Sequence, residues 1–227
     1  MEHVNTGTAQ SVTSAATQKV LRNTYMLLGM TLAFSALTAG ISMAMNLGGG
    51  AAMIMSLAAL AIVWFVLPRT ANTAMGLPVV FLFTGLLGAA LGPMLNRYLA
   101  LPNGSEMVMQ ALGGTAIIFF SLSAYVLTTK KDFSFMGGFL FAGLMVVIVG
   151  AIGAMVASYF FGVDVSLFSL VISGAIVLLM SGFILFDTSR IINGGETNYI
   201  MATVGLYLNI YNLFTSLLHI IGATSDD

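Results

Sequence analysis

Residues 133–161 read FSFMGGFLFAGLMVVIVGAIGAMVASYFF, a run with no charged side chain anywhere in it. A helix rises about 1.5 Å per residue, so roughly 20 mostly apolar residues cross the hydrocarbon core of a bilayer. This stretch is long enough with residues to spare. Working outward from it, comparable runs recur at 23–45, 50–67, 78–99, 107–129, 167–187 and 199–222. The separators are 46–49, 68–76, 100–106, 130–132, 162–166 and 188–198, and each carries Gly, Pro, Asn or charge, as turn chemistry requires. The pattern predicts an all-α membrane protein with seven transmembrane helices.

Composition agrees. The chain of 227 residues is 59% hydrophobic and 7% charged, with a mean hydropathy of +1.02. An ordinary soluble domain is about a quarter charged, so charge cannot cover a water-facing surface here. A net charge of -1 and the lack of a basic cluster exclude nucleic acid as an evident partner. With no cysteine, disulfides, thiolate metal sites and thiol nucleophiles are excluded. There is no H-E-x-x-H and no G-x-S-x-G, and His3 and His219 fall at opposite ends of the chain. One embedded Asp cannot supply the carboxylate pair of an aspartyl protease, and the last span has no Lys for a retinal Schiff base. The reading therefore predicts no catalytic residue, no cofactor, no metal site and no enzyme activity.

Orientation follows from the basic residues. Lys19, Arg22, Arg69, Lys130, Lys131 and Arg190 fall on one side of seven spans, and Arg97 on the other. That places the N-terminus in the cytoplasm and Asp226 and Asp227 outside. Residues 1–22 read as a short flexible cytoplasmic tail, its first 18 residues rich in Ser, Thr, Ala and Gln. Residues 23–222 form the seven-helix domain, and 223–227 a short outer end.

Polar groups within the spans mark candidate sites, because an unpaired polar group is costly in lipid. In the last span Asn198, Ala202, Gly205, Asn209, Asn212, Ser216 and His219 recur at spacings of three and four, which puts them on one helix face. Ile200, Val204, Leu208 and Leu218 stand opposite. Such a stripe faces protein or water, so this span is expected to be an inner helix; a hydrogen-bonded packing seam and a hydrated path both fit it. Asp187 closes the run SGFILFD at the end of the sixth span. It reads either as an interfacial acid paired with a base such as Arg69 or Arg190, or as a protonatable latch. Gly85, Gly88 and Gly92 line one side of the third span and indicate close helix packing, with Pro93 expected to kink it.

Five segments carry a family resemblance: SGFILFDTSRIINGGETNYI, GLYLNIYNLFTSLL, KVLRNTYMLLGMTLAFSALTA, FTGLLGAALGPMLN and ALGGTAIIFFSLSAYVLTTKKDFSFMGG. Together they resemble the seven-span Bax inhibitor family, in particular its bacterial YccA-like branch, over nearly everything after residue 18. The resemblance implies six helices surrounding a central seventh, in a bacterial inner membrane with the C-terminus in the periplasm. It also implies a partner, the membrane AAA protease FtsH, which such proteins bind and modulate, with the cytoplasmic tail as a segment the protease can grip. Other members are pH-sensitive calcium leaks with an aspartate on the sixth span and another on the seventh. Asp187 matches the first; the second position holds Asn209. Asp187, Asn209 and Arg69 are thus the expected latch, and Asn198, Asn209, Asn212 and Ser216 its polar stripe. Two close carboxylates couple because both cannot ionise cheaply, which an Asp–Asn pair does not reproduce. Calcium takes six to eight oxygen ligands, so the resemblance favours modulation of the protease, with the cation leak as the alternative.

Overall fold

The computed structural model describes residues 6–225, with side chains from residue 15 onward. Among the described residues, seven helices are long and apolar enough to cross a membrane. They are α1 (Thr6–Ala44), α2 (Gly49–Thr70), α3 (Gly76–Leu99), α4 (Gly104–Thr129), α5 (Gly137–Phe161), α6 (Ser166–Ile192) and α7 (Tyr199–Thr224). A 3-10 turn, Ser134–Met136, leads into α5. No strand occurs among the described residues. The chain is a seven-span, all-α membrane protein.

The helices overrun the expected spans where local chemistry lets them. Within the expected tail, α1 already begins at Thr6, and its apolar span at Ala15. Once a span has nucleated, each further residue adds a hydrogen bond cheaply, and residues 8–22 contain neither Gly nor Pro. Residues 1–5 of that tail, His3 among them, and the terminal Asp226 and Asp227 lie outside the described residues. Helix α2 continues past Pro68 to Thr70 through a wider π turn at Ile62–Val66, where the Leu67 amide reaches back five residues to the Ile62 carbonyl. A π turn before proline absorbs the missing donor. Helix α3 runs unbroken through Pro93 to Leu99. Helix α6 extends to Ile192, which leaves Asp187 five residues inside its end.

Two compact units divide the chain: one gathers residues up to Met94 with Asp187–Tyr207, the other Leu95–Phe186 with the chain from Leu208 onward. In the first, the glycines of α3 meet the small polar side of α1. A Cβ on Gly85 would stand 2.7 Å from the Phe34 ring, one on Gly88 would run into Ser35 and Thr38, and one on Gly92 would overlap the Ser42 side chain. Phe34 and Phe81 meet edge to face at 5.5 Å alongside. In the second unit α5 and α6 exchange side chains for glycines. Leu140 fills the space over Gly182, Leu179 that over Gly143 and Phe186 that over Gly137. Close approach through small residues is how helices gain packing in lipid, where apolar burial gives no drive.

Helix α7 is the most enclosed of the seven. Of its most apolar stretch 44% is buried, against 11% for the spans of α2 and α5. Burial falls on both of its faces: Ala202, Asn209 and Ser216 on the polar one, Ile200, Val204 and Leu218 on the apolar one.

Candidate functional site

The polar residues of α7 do several separate jobs. Asn198 stands at the start of the helix, where backbone amides lack intrahelical partners. Its Oδ1 accepts from the amides of Ile200 (2.8 Å) and Met201 (3.1 Å), a side-chain N-cap. Its Nδ2 donates to the Ala71 carbonyl at 3.0 Å and to Asn72 Oδ1 at 2.7 Å. One side chain thereby starts α7 and ties it to the turn between α2 and α3. The approach to it is held as well. Glu196 Oε1 accepts from the Asn198 amide at 2.9 Å, and its Oε2 lies 3.6 Å from Arg190, which also donates to the Gly195 carbonyl.

One turn into α7, Thr203 donates to the carbonyl of Tyr199 (2.7 Å) and lies 3.3 Å from that of Thr24 on α1. Deeper, Tyr207 closes a buried polar knot. Ser35 donates to the Thr84 carbonyl at 3.0 Å, so its oxygen is left to accept from the Tyr207 hydroxyl at 2.6 Å. The same hydroxyl lies 3.3 Å from the Thr84 carbonyl. Ser35, Thr84 and Tyr207 are all buried, so the knot sits where water cannot substitute for it.

Asp187, on α6, is half-buried, and its carboxylate lies against Gly205 of α7. Oδ2 is 3.2 Å and Cγ 3.6 Å from where a Gly205 Cβ would be. Of the other residues expected at the latch, Asn209 is buried one turn beyond Gly205 on the same face of α7. Arg69 is exposed and turns its guanidinium onto the Phe65 carbonyl of its own helix. Asn212 donates to the Leu208 carbonyl at 2.8 Å, also within its own helix. Ser216 is buried, and His219 Nδ1 pairs with Ser173 on α6 at 2.9 Å. The Ser173 hydroxyl also lies 3.0 Å from the Ser169 carbonyl of its own helix.

The structure therefore brings Asp187 to the small-residue face of α7 and assigns Asn198 to capping, Asn212 to its own backbone and Arg69 to α2. Sequence reasoning passed over Tyr207, Ser35 and Thr84. Their signal was a tyrosine in the middle of a span, whose hydroxyl needs a partner when buried. Among the described residues no three His, Asp or Glu side chains gather as metal ligands.

Residues 17–226 match the family described as "Inhibitor of apoptosis-promoting Bax1". An "Uncharacterized membrane protein" of Vibrio cholerae is 54% identical over 211 residues, covering 93% of this chain and 92% of its own. The "Modulator of FtsH protease YccA" of Escherichia coli K12 is 48% identical over 227 residues, the whole of both chains. A Pseudomonas aeruginosa protein is 48% identical over 208 residues, 92% of this chain and 90% of its own.

Proposed function

The chain belongs to the Bax inhibitor family, and on that footing we propose that it is a bacterial inner-membrane protein that binds the membrane AAA protease FtsH and restrains its turnover of membrane proteins. One observation carries the reading: 48% identity, end to end, with a protein named as a modulator of that protease. In this reading the protein acts by occupancy and not by catalysis. The N-terminus is cytoplasmic and the C-terminus periplasmic, as the basic residues indicate, with α7 as the inner helix that the other six surround. The start of α1 before Ala15 is then the segment presented to the protease. The test is reconstitution of purified chain and protease in one bilayer, with a membrane substrate whose loss is timed. Full-length chain should slow the substrate's degradation, and a chain lacking residues 2–18 should slow it less while staying folded. Unchanged degradation with the full-length chain present sinks the reading.

A second reading rests on Asp187, an acid half-buried between α6 and α7 in the membrane-spanning part of the chain. An acid at that place is the titrating group that a proton-controlled cation path with Asp187, Asn209 and Arg69 at its gate would need. Liposomes loaded with a calcium indicator decide it. Flux that rises and falls with pH, and loses that dependence in Asp187→Asn, supports the leak; no flux above empty liposomes across mildly acidic to mildly alkaline pH removes it.

A further inference from the structure

Helix α4 ends at Thr129, and Lys130 follows as its C-cap in the left-handed region (φ 53°). Lys131, next in the chain, is exposed and reaches back to the helix. Its Nζ donates to the Tyr125 hydroxyl at 3.1 Å and stands 5.6 Å from the centre of the Tyr125 ring. Tyr125 precedes the helix end by one turn, about 6 Å of rise. Lys131 thus meets a ring of the last turn of a membrane helix, that of Tyr125, which is 41% exposed. Lys130 is exposed as well. Asp132 Oδ1 accepts from the Ser134 amide at 2.9 Å.

Aromatic rings continue the same edge. Phe133 lies 6.2 Å from Tyr125 and stacks on Phe135 at 6.4 Å. Phe135 is 80% exposed, and Phe139, at the start of α5, 74%. Rings of this kind settle at the headgroup level, and lysines near anionic lipid gain free energy there. A lysine held on an interfacial tyrosine carries its charge at the level of the lipid phosphates.

We propose that the junction of α4 and α5 holds the phosphate of an anionic phospholipid, with Lys130 and Lys131 on the headgroup and Phe135 and Phe139 along its glycerol and upper acyl chains. The proposal is independent of the protease and leak readings. It is tested on the full chain, purified in mild detergent, mixed with equimolar phosphatidylglycerol and phosphatidylethanolamine and read by native mass spectrometry. The wild type should retain phosphatidylglycerol in preference, on the order of fivefold for each engaged lysine. Lys130→Gln with Lys131→Gln should bring the ratio to about one. Tyr125→Phe, which keeps the ring and removes the hydroxyl, should lower the ratio part of the way and serves where the double variant does not fold. Equal retention of the two lipids by the wild type overturns the proposal, as does a preference that survives in the folded double variant. Equal retention would be the outcome if the edge served an acidic protein partner instead.

Discussion

The carboxylate of Asp187 takes up the space that a side chain on Gly205 would need, with Oδ2 3.2 Å from the position of the missing Cβ. An acid on α6 can lie this close to α7 because the facing residue ends at its α-carbon. The contact makes the two positions energetically dependent on each other. In an isolated helix Gly→Ala gains up to about 1 kcal/mol. Here the new methyl pushes on the carboxylate, and that crowding offsets the gain. Gly205→Ala should therefore stabilise the Asp187→Ala protein by about 1 kcal/mol more than it stabilises the wild type. Thermal unfolding of the four proteins of the cycle in one detergent measures the difference. The same effect in both backgrounds would refute the contact.

The knot of Ser35, Thr84 and Tyr207 predicts a second coupling. Tyr207→Phe keeps the ring that meets Phe83 edge to face at 5.8 Å. It removes only the hydroxyl and leaves Ser35 Oγ without that donor. Interhelical hydrogen bonds in membranes average about 0.6 kcal/mol and reach about 1.7. The upper part of that range is expected, since the hydroxyl meets both Ser35 and the Thr84 carbonyl. Ser35→Ala should cost a similar amount, and the two together clearly less than their sum. Full additivity in the unfolding equilibrium would mean that the hydroxyls do not share a bond.

Asn198 combines two functions that substitution can separate. Asn198→Asp keeps an acceptor for the amides of Ile200 and Met201 and loses the donor to Ala71 and Asn72. Asn198→Ala loses both. Loss of an N-cap costs about 1 kcal/mol, so Ala should lower the unfolding temperature more than Asp. Both should speed limited proteolysis at residues 71–75, because both release that turn. If Asp protects the turn as well as Asn does, the donor bonds are not what holds it.

How much of this was legible depends on how local the cause is. The seven spans follow from length and hydropathy, which act within each segment, and they emerge within a few residues. The extension of α2 past Pro68 was not visible, because a π turn is a response to proline and leaves no mark in composition. The spacing of Gly85, Gly88 and Gly92 predicts a packing face but does not name its partner. The partner is also in the sequence: Ser35, Thr38 and Ser42 step along α1 at the same spacing as the glycines along α3. The stripe of α7 was read as one device because helical periodicity groups residues by face. The turn 193–198 does point to an N-cap, as Asn198 provides, but the periodicity does not say that Asn212 bonds its own backbone or that His219 pairs with Ser173. Those depend on which groups the neighbouring helices bring, and periodicity within one helix carries nothing about that.

The turn entering α6 gives a prediction in pH. Asp164 Oδ1 accepts from the Ser166 amide at 2.9 Å, and bonding to the backbone and side chain of Ser166 holds its carboxyl below the usual carboxylate range. A carboxyl that is more acidic in the folded state than in the unfolded one binds fewer protons when folded. Its contribution is therefore fully present above the unfolded value, about 3.9, and is lost as pH falls through the lower folded value. Asp164→Asn still offers an oxygen to the Ser166 amide, since Asn caps about as well as Asp, but it cannot titrate. The variant should melt close to the wild type at neutral pH and show a shallower loss of melting temperature between about pH 4 and the acid limit of the fold. Parallel curves over that interval would mean that the acid sensitivity of the protein arises elsewhere, and that the bond at Ser166 persists when the carboxyl is protonated.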